Sequence, residues 1–180
     1  MAPTMNPAEI RLPEPCLVVL VGAAGSGKST FAARWFAPDE ILASDAFRER
    51  IAGDAADQRA TGAAFAALHS ALARRLRDRR TTVADATSVT ARARLALVAR
   101  ASAAGVPVIA IVLDLPGPVV RSRNVGRTGR VVPAAVVERH LAQLRLSRSG
   151  SGTGLEGEGF AEVVRFTDPA AIDAVRIVRD

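Results

Sequence analysis

At 180 residues and 49% hydrophobic, the chain is long enough to bury a core without staples and too apolar to remain disordered. Its one cysteine, Cys16, excludes a disulfide framework or a cysteine zinc site and suits a reducing, cytoplasmic setting. The 24 basic and 18 acidic residues leave a net charge of +6, which either favours a polyanionic partner such as nucleic acid or reflects an Ala- and Arg-rich composition.

Residues 1–15 read as a Pro-rich leader. Glu9, Arg11 and four prolines interrupt any apolar run there, so neither a signal peptide nor an anchor is expected. The longest strongly apolar runs fall far short of a bilayer span. Residues 16–21 (CLVVLV) predict a strand apolar on both faces, as in a covered parallel sheet. A glycine-rich turn then opens a helix over about 28–36, which Pro38 stops. Residues 40–44 predict a second strand ending at Asp45. A long helix follows over 58–79, with Phe65, Leu68, Leu72 and Leu76 on one stripe. A third strand over 81–84 ends at Asp85, and a helix covers 90–103. Residues 106–113 (VPVIAIVL) predict a fourth buried strand, with another helix from about Pro118.

The texture then changes. Residues 121–130 (RSRNVGRTGR) are basic, include two glycines and are too polar for a core element. With a helix over 133–146 they predict an arginine-rich lid, about 121–146, and 147–159 read as a flexible Ser/Gly loop. A strand over 161–166 and a short helix over 169–175 complete one domain, 16–180. Strands alternating with helices predict an α/β fold, a parallel sheet with helices on both faces.

Residues 22–29 (GAAGSGKS) fit G-x-x-x-x-G-K-[ST] directly after a strand and at a helix start, the context a phosphate-binding loop requires. A chance match in a chain this long is on the order of 1%, before that context is demanded. Nucleotide binding is therefore expected along Gly22, Ala23, Ala24, Gly25, Ser26, Gly27, Lys28, Ser29 and Thr30. Backbone N–H groups there form an anion nest at a helix N-terminus. Lys28, the sole lysine, would reach the terminal phosphates of ATP, and the Ser29 hydroxyl would hold Mg²⁺.

Other candidates stand at the ends of later strands, where an open parallel sheet gathers its ligands. Asp45 suits either a general base toward an attacking hydroxyl or a helix N-cap. Asp85 suits Mg²⁺ held through water, in preference to a turn cap. Arg123, Arg127 and Arg130, as a group, suit a lid closing over a triphosphate. The arginines at 74–80 read as surface charge at a helix end. His69 and His140 have no partner pattern, and Trp35, Phe47 and Phe65 are expected in the core.

With these residues placed, residues 15–164 resemble a polynucleotide 5′-kinase, and most of all the kinase module of bacterial polynucleotide kinase-phosphatases that heal RNA ends. The likeness rests on LVVLVGAAGSGKSTFA, on ILASDAFR ending at Arg48, and on DQRAT at 57–61 with Phe65, Leu68 and His69. It continues through VADAT at 83–87, IVLDLP at 111–116, the arginine-rich lid, and LEGEGF at 155–160. The resemblance implies a P-loop NTPase fold of the kinase type with sheet order 2-3-1-4-5. It implies that Asp45 is the general base for a 5′-hydroxyl and that Arg48 contacts the acceptor strand. The family's lid arginines correspond to Arg127 and Arg130, with Arg123 beside them on the nucleotide. The implied reaction is ATP-dependent phosphoryl transfer to a nucleic acid 5′-hydroxyl end. The chain differs in carrying Ser88 where the family has asparagine, in its lid glycines Gly126 and Gly129, and in lacking phosphatase and ligase modules. Two other readings share the same loop: a kinase acting on a small-molecule hydroxyl, and an ATP-binding regulatory module without turnover.

Overall fold

The central strand does not alternate because both of its faces are covered. In β3 (Leu17–Gly22) every residue is buried. Leu17, Val19 and Val21 enter one apolar cluster while Val18 and Leu20 enter the other, as a period of two requires. This computed structural model describes residues 4–53, 61–128, 131–149 and 154–180.

Beside β3 lie β5 (Thr82–Asp85) and then β4 (Ile41–Ala43) on one side. On the other side come β6 (Val108–Leu113), β7 (Glu162–Phe166) and the two-residue β1 (Thr4–Met5). Among the described residues all these pairings are parallel, in the order β1-β7-β6-β3-β5-β4. The five strands read from the sequence thus take the expected order 2-3-1-4-5.

Helices cover both faces. One cluster takes Leu72 and Leu76 from α3 (Thr61–Arg77), Leu97 from α4 (Ala91–Ala103), Val120 from α5 (Gly117–Val125) and Leu141 from α6 (Ala134–Ser149). The other takes Phe31 and Ala32 from α1 (Lys28–Trp35), with the Phe31 and Phe166 rings 6.3 Å apart and tilted. Burying an aromatic side chain of this kind stabilises by roughly 1.5–3 kcal/mol, which is why these faces hold their helices.

Three expectations need correction. The leader is built into the fold: β2 (Glu9–Leu12) pairs in parallel with β8 (Arg176–Arg179), burying Ile10 and Leu12 against the second cluster. The stretch expected as a lid, 121–146, is mostly helical. Residues 121–125 continue α5 because Val120 and Asn124 anchor that helix inward, so the connection to α6 spans only 126–133. The loop 147–159 is shorter too, since α6 runs to Ser149 and Leu155 is fully buried in a single 3₁₀ turn, Leu155–Gly157.

The end of that loop is pinned by charge. Arg94, 1% exposed, forks onto Glu158 through Nε (2.6 Å) and Nη2 (2.5 Å), and also donates to the Ser88 carbonyl (3.1 Å) and the Ser147 hydroxyl (3.2 Å). Such a bidentate pair is strong only when its remaining hydrogen-bonding groups are satisfied, as they are here.

Candidate functional site

The glycines of residues 22–29 are needed for backbone reasons at two points. Gly25 has φ 91°, and a Cβ there would stand 2.5 Å from the Val120 carbonyl oxygen. Gly27 has φ 96° and caps α1 without any side-chain bond. The first turn of α1 therefore faces the cavity with its N–H groups uncapped by any side chain, which is what an anion at a helix N-terminus requires. Ser26 is fully buried, and its Oγ has no hydrogen-bond partner among the described residues. The Gly22 N–H donates to the Thr87 carbonyl at 3.0 Å, tying the loop to the end of β5.

Lys28 folds back over this loop, donating to the Gly22 and Ala23 carbonyls at 2.9 Å each. Burial pushes its pKa down to about 8; Asp85 raises it and Arg127 lowers it further. Asp85, buried at the end of β5, and Ser29, exposed on α1, line the same cavity of about 560 Å³. A hydroxyl and one carboxylate, with phosphates and water completing the shell, are the hard-oxygen donors Mg²⁺ takes. Among the described residues no cluster of three or more His, Cys, Asp or Glu could hold a metal alone.

The acceptor candidates line the same cavity. The helix α2 (Ser44–Ala52) has Ala43 as its N-cap with no side-chain bond, so Asp45 is not the cap. It lies in the first turn, where an acid suits the helix dipole, and its Oδ1 pairs with Nη2 of Arg48, one turn on. Asp45 is half exposed while Arg48 is buried, so the guanidinium holds the carboxylate from beneath. Sheet order fixes the layout: β4, which leads into α2 with Asp45 and Arg48, lies two strands from β3, and β6 with its following α5 lies on the opposite side.

From that opposite side Arg123 and Arg127 line the cavity. An added Cβ on Gly27 would stand 3.6 Å from Arg123 Nη1. Arg130 lies outside the described residues, as do residues 57–60 of the DQRAT stretch. The loop carrying Arg127 is closed by buried Asn124, whose Nδ2 donates to the Val132 carbonyl (2.8 Å) and whose Oδ1 accepts from the Val132 N–H (3.1 Å). The cavity thus brings together Ala24, Gly25, Ser26, Gly27, Lys28, Ser29, Thr30, Asp45, Arg48, Asp85, Arg123 and Arg127. Gly22 and Ala23 are buried beneath it and hold the Lys28 ammonium.

Several residues in or around the site were not expected there. His140 reaches the loop from α6, its Nδ1 accepting from the Ala24 N–H at 3.4 Å, 116 residues away in the chain. Burial, then Lys28 and Arg139, push its pKa down to about 4, so it stays a neutral acceptor at pH 7. Phe65 is not in the core but lines the cavity beside Asp45 and Arg48. Ile172 and Asp173 of α7 (Pro169–Ala174) line it from the β7 side. Ser88, where asparagine was expected, has φ 45°, a region asparagine enters readily, and Arg94 holds it there.

The model of the AAA domain family matches residues 17–149. A chain of the Pnkp1/Rnl/Hen1 RNA repair complex is similar, at 26% identity and a TM-score of 0.63, over 76% of this chain and 46% of that one. This chain therefore spans under half the length of that relative. A gluconokinase from Sinorhizobium meliloti 1021 is similar at 19% identity and TM-score 0.55, covering 92% and 90% of the two chains. The APS kinase CysC of Mycobacterium tuberculosis is similar at 18% and 0.54, covering 90% and 93%. No curated protein matches the sequence. No helix among the described residues is long and apolar enough to cross a membrane. With three quarters of its length matched, the chain belongs to the AAA domain family, and its strand order gives it the P-loop kinase fold.

Proposed function

We propose that this kinase transfers the γ-phosphoryl group of ATP to the 5′-hydroxyl end of RNA or DNA in the cytoplasm. The observation that carries this reading is the Asp45–Arg48 pair, seated in the same cavity as the phosphate loop and on the side away from the lid arginines. A triphosphate lying on the loop, with its nucleoside toward α5, presents its terminal phosphate toward Asp45. The likeness to a chain of an RNA repair complex supports the same class of acceptor.

In this reading the Asp45 carboxylate takes the proton of the 5′-hydroxyl as its oxygen bonds to the γ-phosphorus. The bond from that phosphorus to the bridging oxygen breaks, and ADP leaves. Arg48 orients Asp45 and meets the acceptor's first phosphate. Lys28, released from the Gly22 and Ala23 carbonyls, and Arg123 with Arg127 neutralise charge on the transferring group. Ser29 and Asp85 would hold Mg²⁺, which would supply positive charge to neutralise the phosphates during transfer.

A kinase acting on a small-molecule hydroxyl is the second reading, favoured by the likeness to gluconokinase and APS kinase. Labelled ATP offered with 5′-hydroxyl oligonucleotides, sugar acids and adenosine 5′-phosphosulfate separates the two. A polynucleotide acceptor loses affinity steadily with added salt, because protein cations release its condensed counterions. Brisk transfer to a small hydroxyl compound, with oligonucleotides inert across the salt range, overturns the polynucleotide reading and leaves the kinase in place.

A further inference from the structure

Along α3 the buried stripe runs through Ala64, Leu68, Leu72 and Leu76, each at most 1% exposed and each four residues from the next. Phe65 sits one residue off that stripe, about 100° around the helix, and belongs to neither apolar cluster. It is half-buried and lines the cavity in company with Asp45 and Arg48 from α2, which packs on α3. The His69 ring, one turn along, lies 6.4 Å from the Phe65 ring and tilted to it, which restrains the phenyl group. A half-buried phenyl ring on α3 thus lines this cavity together with the Asp45 carboxylate and the Arg48 guanidinium of α2.

We propose that Phe65 is a specificity-determining residue, its ring stacking on the base of the nucleotide that bears the accepting hydroxyl. This rests on the polynucleotide reading and deepens it: the acceptor is recognised by a phosphate at Arg48 and by an aromatic base at Phe65. A base offers a π-face whatever its identity, so the recognition tolerates every sequence at the terminal nucleotide. Aliphatic sugar acids carry no such face and gain nothing from the ring beyond a C–H contact.

The test compares kcat/KM for two 5′-hydroxyl oligonucleotides that differ only in having a base or an abasic site at the 5′ position. The wild-type chain prefers the base-bearing acceptor by roughly 5- to 150-fold, the range expected for one stacked base. Phe65→Leu, which keeps an apolar side chain without a π-face, brings that ratio to near one through KM, and Phe65→Trp restores it. A structural role alone lowers activity on both acceptors together and leaves the ratio standing. A wild-type ratio near one, or a ratio that survives Phe65→Leu, sinks this inference alone while transfer to oligonucleotides continues. If neither oligonucleotide is phosphorylated, the polynucleotide reading falls and this inference falls with it.

Discussion

Lys28→Met removes a buried ammonium while keeping most of its stem, and its consequence for stability can be worked out in advance. The folded Lys28 has its pKa pushed down to about 8, against an ordinary 10.5 in the unfolded chain, mainly by burial. Between pH 8 and pH 9 the folded chain sheds this proton while the unfolded chain keeps it. The unfolded state then binds more protons, so stability rises with pH across that window. With those two pKa values the wild-type chain gains about 1 kcal/mol from pH 8 to pH 9, a gain the Met variant lacks. From about pH 8 upward Cys16 acts in the opposite direction, equally in wild type and variant. Burial, with Glu14 adding to it, pushes its pKa up to about 11, so the unfolded thiol ionises first and stability falls with rising pH. Urea unfolding of the nucleotide-free chains at pH 7, 8 and 9 reads the difference directly. Parallel stability curves for wild type and Lys28→Met would refute the assignment of a buried, proton-shedding lysine beneath the loop. Saturating Mg·ATP should flatten the wild-type slope, because phosphate charge returns the proton to Lys28.

Asp45→Asn keeps the size of the side chain and leaves the uncapped start of α2 unchanged, so folding and ATP binding should survive; turnover should fall by roughly 10²- to 10⁴-fold, read by phosphoryl transfer and isothermal titration. Arg127→Ala should lower kcat by more than about tenfold with little change in ATP affinity, since charge on the phosphates peaks in the transition state; equal losses in both would return Arg127 to simple ground-state binding. Arg94→Met leaves Glu158 buried without its partner and should destabilise by about 3–5 kcal/mol in chemical unfolding, with a companion Glu158→Gln recovering part of the loss.

The parts of this molecule that were legible share a local cause. Two all-apolar strands, a glycine loop between a strand and a helix, and acids at strand ends all follow from neighbouring residues, so the strands and the phosphate loop could be anticipated, while the sheet order was implied only by the family resemblance. Phe65 was misplaced because hydrophobicity made it the better stripe member than Ala64, whereas four-residue spacing from Leu68 selects Ala64. His140, Glu158 and β2 depend on partners 116, 64 and more than 160 residues away. Four residues with two apolar positions carry too little periodicity to announce the pairing of β2 with β8. The pairing of Asp45 with Arg48, three residues on, was not read from the sequence; the fold shows it, with Arg48 buried.

The pairing of β2 with β8 also has a mechanical meaning. Because the strands run parallel, with Glu9 opposite Arg176 and Leu12 opposite Arg179, a pull applied at the start of β2 and the end of β8 loads the pair from opposite ends. The ladder, extended by the Arg176 N–H to the Ala8 carbonyl and the Asp180 N–H to the Leu12 carbonyl, is then strained in shear, with its bonds sharing the force together. Force transmitted along the chain therefore meets a clasp on the face opposite α3, α4 and α6, and reaches the phosphate loop only after that clasp has given way.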